Sequence, residues 1–336
     1  MEEKTLYILG AGCSVEDGIP LIKDFFNKMI EFDIVIKNSN INFSDIYVFH
    51  QNYFPDSNIE EFLSYLDLYI GLGKNFGGYN IKKIREKLVI SIGKFLELKL
   101  EGNWSSKNYQ AFLENRLKRN DVVISFNWDI MLDNVKILGN GRGAVNYGTD
   151  FYSIGLESKN TSKIKKSGFE LLKLHGSLNW SYCSECDKRF VSIGRKVVSK
   201  IFEEKIKCPK CKKCVLKPVI IPPTFSKNIG GPTTETSVIP IWNEAFEQII
   251  KAKKIVIIGY SFPEDDVHFK HFIRSALSYK NSYGNIESFP IEIVNYKKYP
   301  SEKVEFEEHY KKIFENINLE IEPEFIYSKF SQYAKT

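Results

Sequence analysis

Short apolar runs that stop at a glycine or a polar residue recur along this chain. That alternation limits the fold more than any other feature. Thr5–Leu9 runs into Gly10–Gly12, Val122–Ser125 into Asn127 and Asp129, Glu170–Leu174 into His175, Lys254–Ile258 into Gly259, and Ile291–Val294 into Asn295. Runs this short and this continuous read as strands buried on both faces, the habit of parallel sheets. Stretches with helical spacing at Ile239–Ala252, Pro263–Leu277 and Lys303–Phe314 supply the covering layers. The expected class is α/β, a doubly wound, Rossmann-like parallel sheet. In such sheets ligands lie beyond the carboxyl ends of the strands. Ser14, Asn127, Asp129, His175, Ser261 and Asn295 all fall at those ends.

The remaining segments fit around that sheet. A helix is expected from about Glu16 or Ile19 to Ile30. Residues 31–120 turn helical, with Ile81, Ile84 and Leu88 at spacings of three and four, and read as a lobe inserted after the first strand and helix. Gly139–Asp150 is turn-rich and reads as a loop, and Pro218–Ile221 as one more strand. The 336 residues suit a single domain carrying that insertion and a small cysteine-rich module at 181–216.

Bulk properties exclude several classes. A hydrophobic fraction of 43% against 26% charged residues rules out a disordered chain. No apolar run approaches the ~18 residues of a membrane span, and the acidic opening MEEK is unlike a signal peptide. A cytoplasmic protein is expected. The net charge of +5 is mild, and the lysines around 163–166 and 205–213 are interspersed with acids elsewhere. They read as solvated faces, so direct nucleic-acid binding is not expected.

Cys13 stands alone, whereas the other five cysteines fall between Cys183 and Cys214. Cys183-x2-Cys186 and Cys208-x2-Cys211 are two knuckles with zinc-site spacing, which favours metal over disulfides. Four thiolates leave no open coordination position, so such a zinc would be structural. Cys214 keeps an alternative open, because Cys211-x2-Cys214 has the same spacing.

The strand ends carry the candidate chemistry. In GAGCSVEDGIP, Gly10 to Pro20, a strand enters Gly-x-Gly, a turn whose amides can approach a pyrophosphate; position 15 is Val where the full dinucleotide fingerprint has a glycine. A purely structural turn is the alternative. Asp129 in SFNWD can line a crevice or cap a helix. His175, before Gly176-Ser177, is a candidate general base or a hydrogen-bonded structural histidine. In IVIIGYSFPEDD, Gly259 allows close approach, and Ser261 can cap the following helix or bond a ribose. Asn295 could read an adenine edge.

Taken together these motifs resemble the sirtuin family in its broad sense. GAGxSxxxGIP, an Asn-x-Asp triplet after a strand, His-Gly after another, a two-knuckle zinc module, Gly-x-Ser and a late Asn all occur in the family's order, from Gly10 to Asn295. The resemblance implies an NAD-binding domain with a structural zinc lobe. It implies that Gly10, Ala11, Gly12, Ser14, Gly18, Ile19 and Pro20 hold the phosphates and ribose, and that Asn127 and Asp129 line the nicotinamide pocket. His175 would be the base, with Gly259, Ser261 and Asn295 on the adenosine half, and Cys183, Cys186, Cys208 and Cys211 on zinc.

Two departures set the expected reaction. Gly18-Ile-Pro20 continues into Leu21-Ile22-Lys23 where family deacetylases have Asp-Phe-Arg. Pro218–Lys227 lacks their Phe-Gly-Glu segment. The chain is most similar to the bacterial sirtuin-like NAD hydrolases of antiphage defence. That likeness implies cleavage of the nicotinamide–ribose bond to ADP-ribose and nicotinamide. A protein deacylase or ADP-ribosyltransferase, and a non-catalytic nucleotide-sensing subunit, are the alternatives. Since an unregulated NAD hydrolase would be toxic, a homo-oligomer or a partner protein, such as a ring-forming ATPase, is expected to gate it through the 31–120 lobe.

Overall fold

In a computed structural model the described residues are 4–35, 43–101, 106–134, 145–154, 161–165, 168–192, 198–222, 236–263, 266–284, 288–317 and 319–336. Seven strands form one sheet: β1 (Thr5–Leu9), β2 (Val122–Ser125), β3 (Val145–Asn146), β5 (Phe169–Lys173), β9 (Lys254–Ile258), β10 (Ile291–Val294) and β11 (Glu324–Ile326). Their order is β11-β10-β9-β1-β2-β5-β3, and every pairing is parallel. The chain moves outward from β1 to β2 and β5, then returns to lay β9, β10 and β11 on the other side. β1 and β9 therefore flank the point where strand order reverses. In β1, β2, β9 and β10 the apolar side chains are buried nearly without interruption, because helices cover both faces. The doubly wound sheet expected from the sequence is the one formed.

Between β1 and β2 come α1 (Ile22–Val35), α2 (Phe43–Tyr53), α3 (Ile59–Gly71), α4 (Ile81–Lys99) and α5 (Lys107–Asn115). Their starts follow from capping chemistry. Asn58 forms a reciprocal capping box with Glu61 for α3, and Ser106 Oγ accepts the amides of Asn108 and Tyr109 for α5. An aromatic cluster of Phe26, Phe49, Phe62 and Tyr79 holds this layer together, with T-shaped and tilted rings 4.9–6.1 Å apart. Among the described residues the remaining α-helices are α6 (Val198–Glu204), α7 (Ile239–Lys251), α8 (Val267–Gly284), α9 (Pro300–Phe314) and α10 (Phe330–Tyr333).

A second, four-stranded sheet has the order β4-β7-β6-β8, from β4 (Phe151–Ser153), β6 (Gly176–Cys183), β7 (Lys188–Val191) and β8 (Lys217–Ile220). Here the structure departs from the sequence reading. The run at 218–221 was expected to alternate with helices in the parallel sheet; instead β8 pairs antiparallel with β6. The expected loop at 139–150 contains β3, while 139–144 lie outside the described residues. Trp128 joins the two sheets, its indole N–H reaching the carbonyls of His175 at 3.0 Å and Ile221 at 3.3 Å.

The helix expected from residue 16 or 19 is also different. Two short 3-10 turns, Ala11–Cys13 and Val15–Asp17, come first, and α1 begins only at Ile22. Gly18, at φ 90°, ends the second turn in the left-handed region. That conformation breaks helical continuity and lets Ile19 N–H return to the Ser14 carbonyl at 3.2 Å.

Candidate active site

The carboxyl ends of β1, β2 and β5 lie side by side, since Leu9 pairs with Ser125 and Ser125 with Lys173. Side chains just beyond those ends meet in a buried polar cluster. Ser14 Oγ donates to Asp129 Oδ2 at 2.8 Å and lies 2.9 Å from Tyr109 Oη. Asn127 Nδ2 reaches the Gly10 carbonyl at 3.0 Å, Tyr109 Oη at 3.1 Å and Ser14 Oγ at 3.2 Å. Ser14, Asn127 and Asp129 are 1%, 9% and 5% exposed. Polar groups this buried must satisfy one another, and these do.

No helix follows Asp129 among the described residues, so the helix-capping role is not seen. Residues 131–134 form a turn, whose Met131 amide donates to Oδ1 at 3.1 Å, while Oδ2 accepts the Ser14 hydroxyl. Burial pushes its carboxyl above the ordinary range, against the opposing pull of Lys173 and the Ser14 hydroxyl. Lys173 is itself buried, and its ammonium donates to the Asp129 carbonyl at 2.5 Å, Ser177 Oγ at 2.6 Å and Asp133 Oδ2 at 3.1 Å. The Lys173–Asp133 ion pair thus fixes the backbone that carries Asp129.

His175 follows β5, buried at 3% exposure, and turns toward the loop after β9. Its Nε2 lies 4.0 Å from Asp266 Oδ2, and its ring meets Phe126 edge-on with centroids 5.1 Å apart. Phe126 also stacks on Tyr260 at 4.4 Å. The glycine after the histidine has a tertiary cause: Gly176 sits at φ +78°, and a Cβ there would lie 2.1 Å from the Val219 carbonyl oxygen on β8.

The Gly10–Gly12 turn is held differently from a phosphate cradle at a helix start. The amides of Gly10 and Gly12 donate to Ile258 and Gly259 carbonyls at 2.9 Å, and those of Cys13 and Ser14 to Gly10 and Ala11 at 3.1 Å. A Cβ on Gly12 would lie 2.8 Å from Gly259 Cα. The small residue is required by the approach of the β9 turn across the strand-order reversal, and 3-10 turns stand where the helix N-terminus was expected. Beyond it, Ile19 is buried and Pro20 half-buried.

Gly259, Ser261 and Asn295 edge the same end of the sheet. Gly259 is in the left-handed region at φ 60°, Ser261 is exposed, and Asn295 is half-buried with its amide on Ile326. Of the two roles open to Ser261, capping falls to another residue. Helix α8 starts at Val267, with Asp266 Oδ1 3.4 Å from the Phe269 amide. The acids 264 and 265 lie outside the described residues.

Away from this end of the main sheet, the thiols of Cys183, Cys186, Cys208 and Cys211 lie within 4.8 Å of one another. Cys183 and Cys186 come from the β6–β7 hairpin. Cys208 and Cys211 come from a second hairpin closed by the Lys207–Val215 bridge. The donor set fits one structural zinc. The Lys213 amide holds the Cys211 thiol down at about 6, while burial pushes Cys183 and Cys186 up. Cys214 remains close, its Sγ 3.1 Å from that of Cys183.

Sequence reading missed Tyr109, Lys173 and Asp266. Tyr109 arrives on α5, and Phe330 of α10 packs against its ring at 5.0 Å. Nothing local marks a helical tyrosine as part of a site. Asp266 carried a signal, an acid soon after the Gly-x-Ser of Gly259 to Ser261.

No protein-family profile matches the chain, and no curated protein matches it. Among solved structures, the chain is similar to Sir2Tm bound to a propionylated peptide, at 15% identity and a TM-score of 0.36, over 99% of this chain and 92% of that one.

Proposed function

We propose that this protein binds NAD across the carboxyl ends of β1, β2, β5 and β9 and hydrolyses its nicotinamide–ribose bond. The observation that carries the reading is the convergence of Ser14, Asn127 and Asp129, with His175 just past the end of the neighbouring strand, beside the strand-order reversal. Ligands of doubly wound sheets lie at such a reversal.

In the proposed reaction the C1′–N bond breaks, its electron pair leaves with neutral nicotinamide, and charge develops on the ribose. Asp129 would face that charge, since only interactions stronger in the transition state accelerate the step. Water attacks C1′ with Asn127 orienting it, and His175 takes the water proton. ADP-ribose and nicotinamide result. The turn at Gly10–Pro20 would lie against the pyrophosphate and ribose, although its Gly10, Gly12, Cys13 and Ser14 amides are bonded within the fold, and Gly259, Ser261 and Asn295 would hold the adenosine half. Zinc at the four cysteines would hold the smaller sheet. The sirtuin-like motifs support this reading, and the missing Asp-Phe-Arg and Phe-Gly-Glu elements favour water over acyl-lysine as acceptor. By that resemblance the setting would be antiphage defence, with oligomerisation or a partner ATPase gating activity.

The test is nicotinamide release from NAD by the purified protein, followed chromatographically. Release that is lost in His175→Ala and in Asn127→Ala supports the reading. Undiminished cleavage by both variants sinks it, and turnover that requires acylated peptide assigns the site to a deacylase. A second reading, a nucleotide-binding subunit without turnover, is favoured by the mutual satisfaction of Ser14, Asn127 and Asp129. It predicts thermal stabilisation by NAD with no nicotinamide released.

A further inference from the structure

The loop after β9 places a carboxylate beside His175. Asp266 is buried at 1% exposure, and its Oδ2 lies 4.0 Å from His175 Nε2. The same oxygen accepts the Tyr260 hydroxyl at 2.5 Å, while Oδ1 is the N-terminal cap of α8. The carboxylate is thus fixed from two sides. At 4.0 Å the attraction acts through charge, and it acts when the imidazole holds a second proton.

We propose that Asp266 is a positioning residue for His175, holding the imidazole and stabilising its protonated form. The proposal rests on the reading of His175 as the base that accepts the water proton. The surroundings are built for it. Phe126 and Tyr260 wall the pair with stacked rings, and a low-dielectric wall strengthens an opposite-charge interaction. Burial and the neighbouring carboxylate hold the Tyr260 hydroxyl well above its ordinary value, so it stays a donor.

Among the described residues, groups face His175 from two segments, and Glu60 of α3 acts on the adjoining Tyr260. From the segment after β2 there is the Phe126 ring, and from the loop after β9 there are Asp266 and Tyr260. On the preceding strand Lys173 is turned to Asp133 and Ser177. Among the described residues Asp266 places a carboxylate oxygen 4.0 Å from the imidazole, a buried acid stabilising an imidazolium as in hydrolase triads.

The experiment is an NMR titration of the His175 ring in the full chain, its signal assigned by absence from His175→Gln. Asp266→Asn preserves the cap, since Asn and Asp cap helices equally well. The expected result is a His175 midpoint lower by about one pH unit in Asp266→Asn, the small end of the effect of an opposite charge at this distance. A midpoint that is unmoved or raised overturns the proposal. Should that variant not fold, Tyr260→Phe removes the hydroxyl that shields the carboxylate. The midpoint should then rise, and an unmoved or lowered one overturns the proposal. The acid limb of nicotinamide release, measured in parallel, should move down with the midpoint in Asp266→Asn. Wild-type protein that releases no nicotinamide would defeat the hydrolase reading while leaving the titration to decide Asp266.

Discussion

Ser14 and Asp129, 115 positions apart in sequence, are joined by a 2.8 Å hydrogen bond in which the serine hydroxyl donates to a buried carboxylate. The bond links the turn after β1 to the segment after β2. Ser14→Ala removes it and leaves Asp129 Oδ2, Tyr109 and Asn127 each with one partner fewer. The expected cost is about 1–3 kcal/mol, the usual penalty for a buried polar group deprived of a partner. Denaturant unfolding of the variant measures it, and a loss below half a kilocalorie, on the order of an exposed site, would mean water replaces the hydroxyl.

Asp129 sets a pH dependence. Its folded-state value is raised above the ordinary 3.8 by burial. The native state therefore binds this proton more tightly than the unfolded chain does. The contribution to stability is fully present below 3.8 and is lost as pH rises through the raised value. Asp129→Asn cannot ionise, so its stability relative to wild type should climb over that window and stay higher at neutral pH. Unfolding curves at several pH values check the sign, and under the hydrolase reading the same variant loses nicotinamide release.

Gly12→Ala tests the contact between the two turns. The new methyl would lie 2.8 Å from Gly259 Cα, a backbone atom that cannot swing away. Overpacking of this kind costs about 1–3 kcal/mol. Gly18→Ala should destabilise through its left-handed backbone instead, with nothing within 4 Å of the added methyl. Melting temperatures falling for both, with nucleotide-induced stabilisation impaired more in Gly12→Ala, would separate packing from backbone strain.

The cysteine cluster should hold about one zinc per chain, released by a strong chelator with loss of the four-stranded sheet's ordered signals. Cys183→Ser and Cys208→Ser should abolish binding. Cys211→Ser should also release the metal, whereas Cys214→Ser should retain it, because the four converging thiols are those of 183, 186, 208 and 211. Metal analysis by mass spectrometry distinguishes the two, and the reverse result would assign the fourth ligand to Cys214.

Tyr109→Phe deletes a hydroxyl shared by Ser14 and Asn127. Both retain other partners, so the stability loss should be near 1 kcal/mol. Turnover should fall more than stability if the hydroxyl helps aim Asn127, and kinetics at saturating NAD measure that.

Legibility in the sequence followed from how locally each feature was caused. β1, β2, β9 and β10 announced themselves because a strand buried on both faces must be apolar throughout. The zinc-type spacing was equally plain, since a knuckle's geometry is set within four residues. The smaller sheet was less legible: β6 begins at Gly176, directly after His175, and its antiparallel pairing with β8 spans the whole cysteine module. Tyr109 was invisible as a site residue because its place on a helix face explains it, and Asp266 was marked only as an acid at the start of a helix.

By itself, then, the sequence determined the parallel α/β sheet, the strand ends where polar residues collect, and the cysteines grouped for a metal. These are consequences of hydrophobic period and short-range geometry, which the chain carries in its local order. Only the tertiary structure decided that Ser14 answers to Asp129, that Gly12 is small for the sake of Gly259, and that His175 faces Asp266. Those pairings join strands and loops from distant parts of the chain, and burial makes each polar group accept whichever partner the fold delivers.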